Sequence, residues 1–360
     1  MDEPQRTHQT NSQSRVCHNV SKRAHALTRK IAVIGAGISG ITVARGLAGL
    51  ADVTVFERSN ELGGRMARRL VEPFAFDHGA QYFTARGQAF QEVVADAMEK
   101  DAVGVWPLEI RSFFRTLNEP TDRVIPRYVG RPAMNGLAIF MAGHIQINRE
   151  TEITSLGRSA EGWHLIDQNE TSHGPFDLVV SSAPAPQTAS LLPSEFKGHL
   201  EIASARMSGC FTLMIGHDAQ NLLPFEAARV EDPVLSWIAV DNSKPDRDGK
   251  PSLVIHSRND WADNFSNADR GWVKATMLKA LADITGREFS GALWSDLHRW
   301  RFANVDRAIG KPYLLDAETG LAACGDWCLG NRVEAAFESG RCLGLALRAW
   351  IATESDRETR

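Results

Sequence analysis

Three glycines at a fixed spacing, Gly35, Gly37 and Gly40, follow directly on the β-branched run Lys30-Ile-Ala-Val-Ile34. A run of that kind suits a strand buried on both faces, and the glycine turn then leads into a helix. Gly35 permits the tight turn, Gly37 lets a pyrophosphate approach the backbone, and Gly40 lets the helix pack on the strand. The free N–H groups at the helix start, around Ser39, then face an anion. Twenty residues after Gly37, the run Asp52-Val-Thr-Val-Phe-Glu57 ends in a carboxylate. Glu57 is expected to accept both ribose hydroxyls of a dinucleotide and to disfavour a 2'-phosphate.

The chain beyond Glu57 holds more than a nicotinamide domain needs. Gly63-Gly64-Arg65-Met66 is followed by Asp77-His-Gly79-Ala80-Gln81-Tyr82-Phe83. Paired glycines let a backbone close over a pyrophosphate, and a guanidinium can fork onto its oxygens or onto a ribityl chain. With Arg58 and Gly79 beside them, these residues suit a long enclosed cofactor such as FAD. A matching element stands near the other end of the sequence: the small apolar strand Gly320-Leu-Ala-Ala-Cys324, then Gly325-Asp326, then a helix predicted over 332–350. Asp326 is placed to bind a ribityl hydroxyl. The helix start near Val333 would favour the anion of a reduced flavin through its dipole.

These residues need elements to position them. The pattern predicts an α/β fold: a doubly wound, Rossmann-like FAD-binding domain with an interleaved α+β substrate domain on a mainly antiparallel sheet. The FAD-binding domain is expected from 30–83, 134–186 and 311–352, and the substrate domain from 84–133 and 187–310. A strand over 145–147 is expected to continue through Ile153 and Leu156. Asp177-Leu-Val-Val-Ser-Ser-Ala-Pro184 reads as a buried strand returning to the first domain. Residues 88–104 carry apolar positions at helical spacing and are expected to cap the substrate side. Cys210–Ile215 and Leu235–Val240 read as strands of the substrate sheet.

Candidate substrate residues are Tyr82, Trp237, Lys244, His256 and Trp300. The three aromatics suit a wall for a planar ring, although such residues are also ordinary core material. His256 ends an apolar strand, where a histidine is more often a core residue than a catalyst. The loop Asp241–Pro251 has hairpin composition, so Lys244 and Arg247 read first as solvated and second as contacts for the phosphates of a dinucleotide. Arg299 and Arg301 should point away from Trp300 if that segment is extended.

Composition excludes several classes. The 360 residues are 43% hydrophobic and 23% charged, near the globular average, which removes collagen-like, disordered and disulfide-scaffold readings. A net charge of -4 argues against a nucleic-acid footprint. Residues 1–30 hold six Lys/Arg against two acids, leaving 34 basic and 42 acidic residues in the rest. The tail over 1–29 reads as disordered. It has some of the composition of an organelle transit peptide but no amphipathic stripe, so an extended start is preferred. No run reaches 18 apolar residues, which leads to the expectation of a cytoplasmic protein with no membrane span. Five cysteines, Cys17, Cys210, Cys324, Cys328 and Cys342, form no C-x-x-C pair, and no metal is expected.

From Lys30 to Trp350 the chain resembles the renalase-like family within the flavin amine oxidase superfamily. The resemblance rests on Gly35–Gly40, Glu57, Gly63–Met66, Asp77–Phe83, Trp237–Pro245, Leu253–His256, His298–Arg301 and Cys324–Trp327. It implies oxidation of 2- or 6-dihydro isomers of NAD(P)H by bound FAD, with oxygen as acceptor, giving NAD(P)+ and hydrogen peroxide. By position it also implies flavin contacts at Ser39, Glu57, Arg65, Ala80, Gln81 and Asp326, with Ile153 on the adenine side. His78 departs from the aliphatic residue expected there and reads as a noncovalent lining residue. Hydride passing between stacked rings requires no base or nucleophile, so no catalytic side chain is assigned. A flavin amine oxidase or desaturase-like enzyme and a non-enzymatic FAD-binding protein are the alternatives; an NAD-only dehydrogenase would leave Arg65 and Asp326 without a role.

Overall fold

The structure, a computed structural model, describes residues 28–107, 110–113, 125–247 and 249–358. The tail expectation falls almost wholly outside the described residues. At the centre lies Lys30–Ile34, whose Ile31, Ala32 and Val33 are fully buried, as a strand covered on both faces must be. It pairs in parallel with Asp52–Phe56 on one side and Leu178–Ser181 on the other. Leu321–Ala323 and Ile147–Asn148 extend the parallel set, and Leu314–Asp316 closes one edge antiparallel. The predicted return strand near 178 and the strand near 321 are thus both present, and they meet at Ser181↔Ala323.

Two helices lie against this sheet in close contact. Ile38–Leu47 follows the glycine turn, and Val333–Glu358 crosses it with Gly340 over Ser39. A Cβ at Gly340 would stand 2.3 Å from the Ser39 carbonyl oxygen, so only glycine permits the approach. That helix runs further than the 332–350 expected.

The second sheet has six strands in the order Trp294–Arg307, Arg206–Gly216, Ser252–Ser257, Leu235–Val240, Ala227–Val230 and Ile110–Phe113. All its pairings are antiparallel except the last. Helix Arg270–Thr285 covers its outer face through Val273, Met277 and Leu281.

Two local expectations change. Of the strand expected from 145 onward only Ile147–Asn148 forms, and Ile153–Ser159 belongs to a separate three-stranded antiparallel sheet with Gly162–Asp167 and Ser172–Phe176. The chain turns between them because Glu150 adopts a left-handed φ of 53°. Helix Gln88–Glu99 buries Phe90, Val94 and Ala97 in the cluster that also holds Ile31, Ile41 and Phe337. We therefore propose a division in which 84–107 goes with the parallel sheet rather than with the substrate domain, because its apolar stripe is buried there. Among the described residues no helix is long and apolar enough to cross a membrane.

Candidate active site

The glycine turn is built as its residue types require. Gly35 has φ +102°, and a Cβ on Gly40 would lie 2.1 Å from the Gly35 oxygen. Gly37 differs from both: a Cβ there would meet nothing within 4 Å. Helix Ile38–Leu47 starts at Gly37 with no side-chain cap, and its first intrahelical donor is Ile41 N–H to the Gly37 oxygen, 3.0 Å. The helix start is open to an anion, and the missing side chain leaves room for one.

Glu57 braces this turn. Its Oε2 accepts the Ala36 N–H and its Oε1 the Ser59 N–H, each at 2.8 Å. Each oxygen keeps a further lone pair for a hydroxyl. Arg58 is exposed next to it. Gly63 donates its N–H to the Ala36 oxygen at 3.0 Å, and a Cβ on Gly64 would be 3.6 Å from Gly37 Cα, so the paired glycines stand against the first turn.

Arg65 joins the two ends of the chain. Its Nη2 donates to Asp326 Oδ1 at 2.7 Å, its Nη1 to the Ala303 oxygen at 3.1 Å, and its own carbonyl accepts the Ala80 N–H at 2.9 Å. A Cβ on Gly79 would sit 2.0 Å from that carbonyl oxygen. Asp326 is 5% exposed, and the Gly325 N–H is taken by Ser339 Oγ at 2.9 Å. Val333 opens the long helix nearby, and the next residue, Glu334, accepts the N–H groups of Arg86 and Gly87 at 3.0 and 2.6 Å. Ser39 Oγ donates to Cys324 Sγ at 3.1 Å. Ile153 is buried among Phe56, Trp163 and Leu165.

The segment Asp77–Phe83 passes beneath the second sheet. Thr212 Oγ1 and Trp300 Nε1 both donate to the His78 carbonyl oxygen at 3.0 Å. The rings of His78 and Trp300 stack at 4.9 Å, and His298 stands edge-on to both, 4.8 Å from His78 and 4.4 Å from Trp300. Burial, then the neighbouring charges of His298 and Arg69, lowers His78 to about 3. Burial and the Lys244 cation lower His256 to about 4. Both are neutral at ordinary pH, and His78 Nδ1 and His256 Nε2 have no hydrogen-bond partner among the described residues. Tyr82 and Trp237 approach at 6.0 Å at the other end of the segment, separated by Gln81 from the Trp300 group. Arg299 and Arg301 are exposed.

Lys244 and Arg247 overturn the reading of a solvated loop. The Lys244 side chain is fully buried and that of Arg247 is 6% exposed. Lys244 Nζ donates to Asp241 Oδ1 at 2.5 Å, Asp77 Oδ2 at 3.1 Å and Gln81 Oε1 at 3.3 Å. Arg247 forks onto Asp77 Oδ2 through Nη2 at 2.7 Å and Nε at 3.1 Å. The physical reason lies with two carboxylates from distant segments, which are buried together and require cations. Burial opposes ionisation of Asp77, but Lys244 and Arg247 outweigh it and hold that carboxyl below its ordinary value. In Asp241 burial prevails and pushes the carboxyl up. Sequence reading missed Asp77 and Asp241 as the organising pair. The Asp241/Lys244 spacing was visible as a local signal, whereas nothing local pointed to Asp77 as their partner.

A family model for an NAD(P)-binding Rossmann-like domain matches residues 33–97. The 4,4'-diapophytoene desaturase of Staphylococcus aureus strain Newman is 37% identical over 76 residues, 18% of this chain and 15% of that protein. That of strain MRSA252 is 47% identical over 51 residues, 14% of this chain and 10% of that protein. The match thus spans about a seventh or less of the curated relatives' length. Over the whole chain, similarity is structural. A protein assigned as a protoporphyrinogen oxidase from Exiguobacterium sp. 255-15 superposes with a TM-score of 0.70 at 12% identity, covering 89% of this chain and 99% of that one. Putrescine oxidase bound to putrescine gives 0.63 at 12% identity, covering 90% and 99%. The chain therefore has the fold of the amine-oxidase-like flavoenzymes, with its Rossmann-like dinucleotide-binding unit at the first strand.

Proposed function

We propose that the chain binds FAD and oxidises 2- or 6-dihydro isomers of NAD(P)H, with oxygen as the final acceptor. The observation that carries the FAD assignment is the Arg65–Asp326 pair, which brings the two sequence fingerprints together beside the open Gly37 turn. When bound, FAD supplies the acceptor for a hydride and hands two electrons and a proton to oxygen, which with a second proton gives hydrogen peroxide. The residues present fit that cofactor. Gly37, Ser39 and the Gly63–Gly64 turn would receive its diphosphate, Glu57 its adenosine ribose, and Arg65 and Asp326 its ribityl chain. Ala80, Gln81 and Val333 would border its ring end.

The substrate needs orientation more than proton transfer. Burial disfavours a proton on His78 and His256 and makes both weak bases, and Lys244 Nζ is held by two carboxylates, so none of these groups is a strong proton acceptor. Trp300 and His298 offer stacking surfaces, and Asp77, His78 and Gln81 are buried beside them. An ordered stack of this kind lowers the barrier by positioning.

An oxidase of free amines is the second reading, favoured by the Tyr82–Trp237 aromatic pair and the putrescine oxidase likeness in fold. Anaerobic mixing of the yellow holoprotein with 6-dihydroNAD, NADH and a panel of amines separates the two. Rapid bleaching by the isomer alone supports the first reading, and bleaching by an amine but not the isomer sinks it. Colour itself tests the cofactor. Arg65→Ala is expected to yield colourless protein, as is Gly37→Ala, whose new methyl occupies open space and leaves the fold intact; full flavin retention in both would refute the assigned cradle.

A further inference from the structure

Arg69 and Arg270 come from elements distant in sequence and converge on one carboxylate. Arg69 opens the hairpin Arg69–Val71/Phe74–Phe76, and Arg270 begins helix Arg270–Thr285 behind the cap that Asp269 makes to the Trp272 N–H. Arg270 Nη2 donates to Asp296 Oδ1 at 2.5 Å, and Arg69 Nη2 to Asp296 Oδ2 at 3.5 Å. Two guanidiniums on one carboxylate leave a unit of positive charge and most of their N–H donors unspent. The side chains are 45% and 63% exposed, so those donors face solvent.

Strand alternation ties this pair to the rings described above. Trp294, Asp296, His298 and Trp300 fall on one face of Trp294–Arg307, toward the 69–79 segment. Trp294 stacks on Phe76 at 5.1 Å, Asp296 meets Arg69, and His298 and Trp300 meet His78. The positive rim therefore runs straight into a wall of neutral rings. Of the other cations nearby, Lys244 and Arg247 are buried on Asp77.

A cationic fork beside a stacked aromatic wall complements a diphosphate joined to a planar heteroaromatic ring. We propose that Arg69 and Arg270, held side by side by Asp296, are the anion anchor of the substrate site and take the diphosphate of a nicotinamide dinucleotide whose ring end is directed at Trp300. This rests on the function proposed above and assigns specificity-determining residues to it.

The test compares two reductants of the holoprotein, 6-dihydroNAD and 6-dihydronicotinamide riboside, which carries the same ring without phosphate. In Arg69→Gln/Arg270→Gln, half-saturation by the dinucleotide is expected to rise about ten- to a hundredfold, the loss of charge-assisted hydrogen bonds. Its limiting rate, the flavin content and the response to the riboside should stay unchanged. ADP-ribose should compete with the dinucleotide in the parent and lose that competition in the variant. Asp296→Asn, which frees both guanidiniums, should lower half-saturation. Equal effects on dinucleotide and riboside, or none on either, overturn the anchor alone. A parent protein reduced by neither compound removes the function, and the anchor with it.

Discussion

The molecule holds two clusters of acids and bases, and they follow opposite rules. Under the second sheet, Asp77, Asp241, Lys244 and Arg247 bring two carboxylates and two cations together with almost no exposure. At the rim, Arg69, Asp296 and Arg270 set two cations on one carboxylate in contact with water. A buried charge without a partner is expensive, so the inner cluster matches its charges and fixes the loop after Val240 to the Asp77–Gln81 segment. Solvent tolerates the surplus outside. Burial thus separates cations that hold the fold from cations left free for a ligand.

The strongest way to break this comparison is to unbalance the inner cluster. Lys244→Met should cost about 3–5 kcal/mol of stability, because Asp77 and Asp241 would share only Arg247. Urea unfolding measures it, and a loss below about 1 kcal/mol would mean that the cluster is not coupled. Acid sharpens the comparison next, through the histidines between the clusters. His78 stands at about 3, and His256 and His298 at about 4, each first through burial. All lie below the unfolded value of about 6.5, so the unfolded chain binds more protons. Their contribution is complete above about pH 6.5 and is lost as pH falls toward 4, at about 1.4 kcal/mol per pH unit for each histidine. His78→Leu should make that slope shallower; an unchanged slope would show that His78 does not carry its share. The smallest effect belongs to the rim. Arg69→Gln and Asp296→Asn should each move stability by less than about 1 kcal/mol, as exposed ion pairs do. A larger drop in thermal denaturation would make the rim structural.

Much of the cofactor end was legible in advance because its constraints are local. Gly35, Gly37 and Gly40 each answer a backbone demand within a few residues, and the strands at Lys30, Asp52 and Leu178 announce themselves as β-branched runs. The Arg65–Asp326 meeting was foreseen only as two fingerprints for one ligand; the ion pair between them came from the fold. Side chains answering to distant partners were misread. A loop rich in Asp, Pro, Lys and Gly has the composition of a solvated turn, yet its Lys244 is buried because Asp77 arrives beneath it. Arg69 and Arg270 carried no local signal at all, since each lies in an unremarkable polar stretch.

By itself the sequence determined the Rossmann-like start, the strands at Lys30, Asp52 and Leu178, the glycines that open a helix end to an anion, and the presence of a second, antiparallel sheet. These follow from short-range sterics and from hydrophobic periodicity, which act between neighbours along the chain. Only the tertiary structure decided which charges are neutralised and which stay free. Electrostatic partners are chosen by distance in space and by the loss of water around them, and neither is written in the spacing of residues.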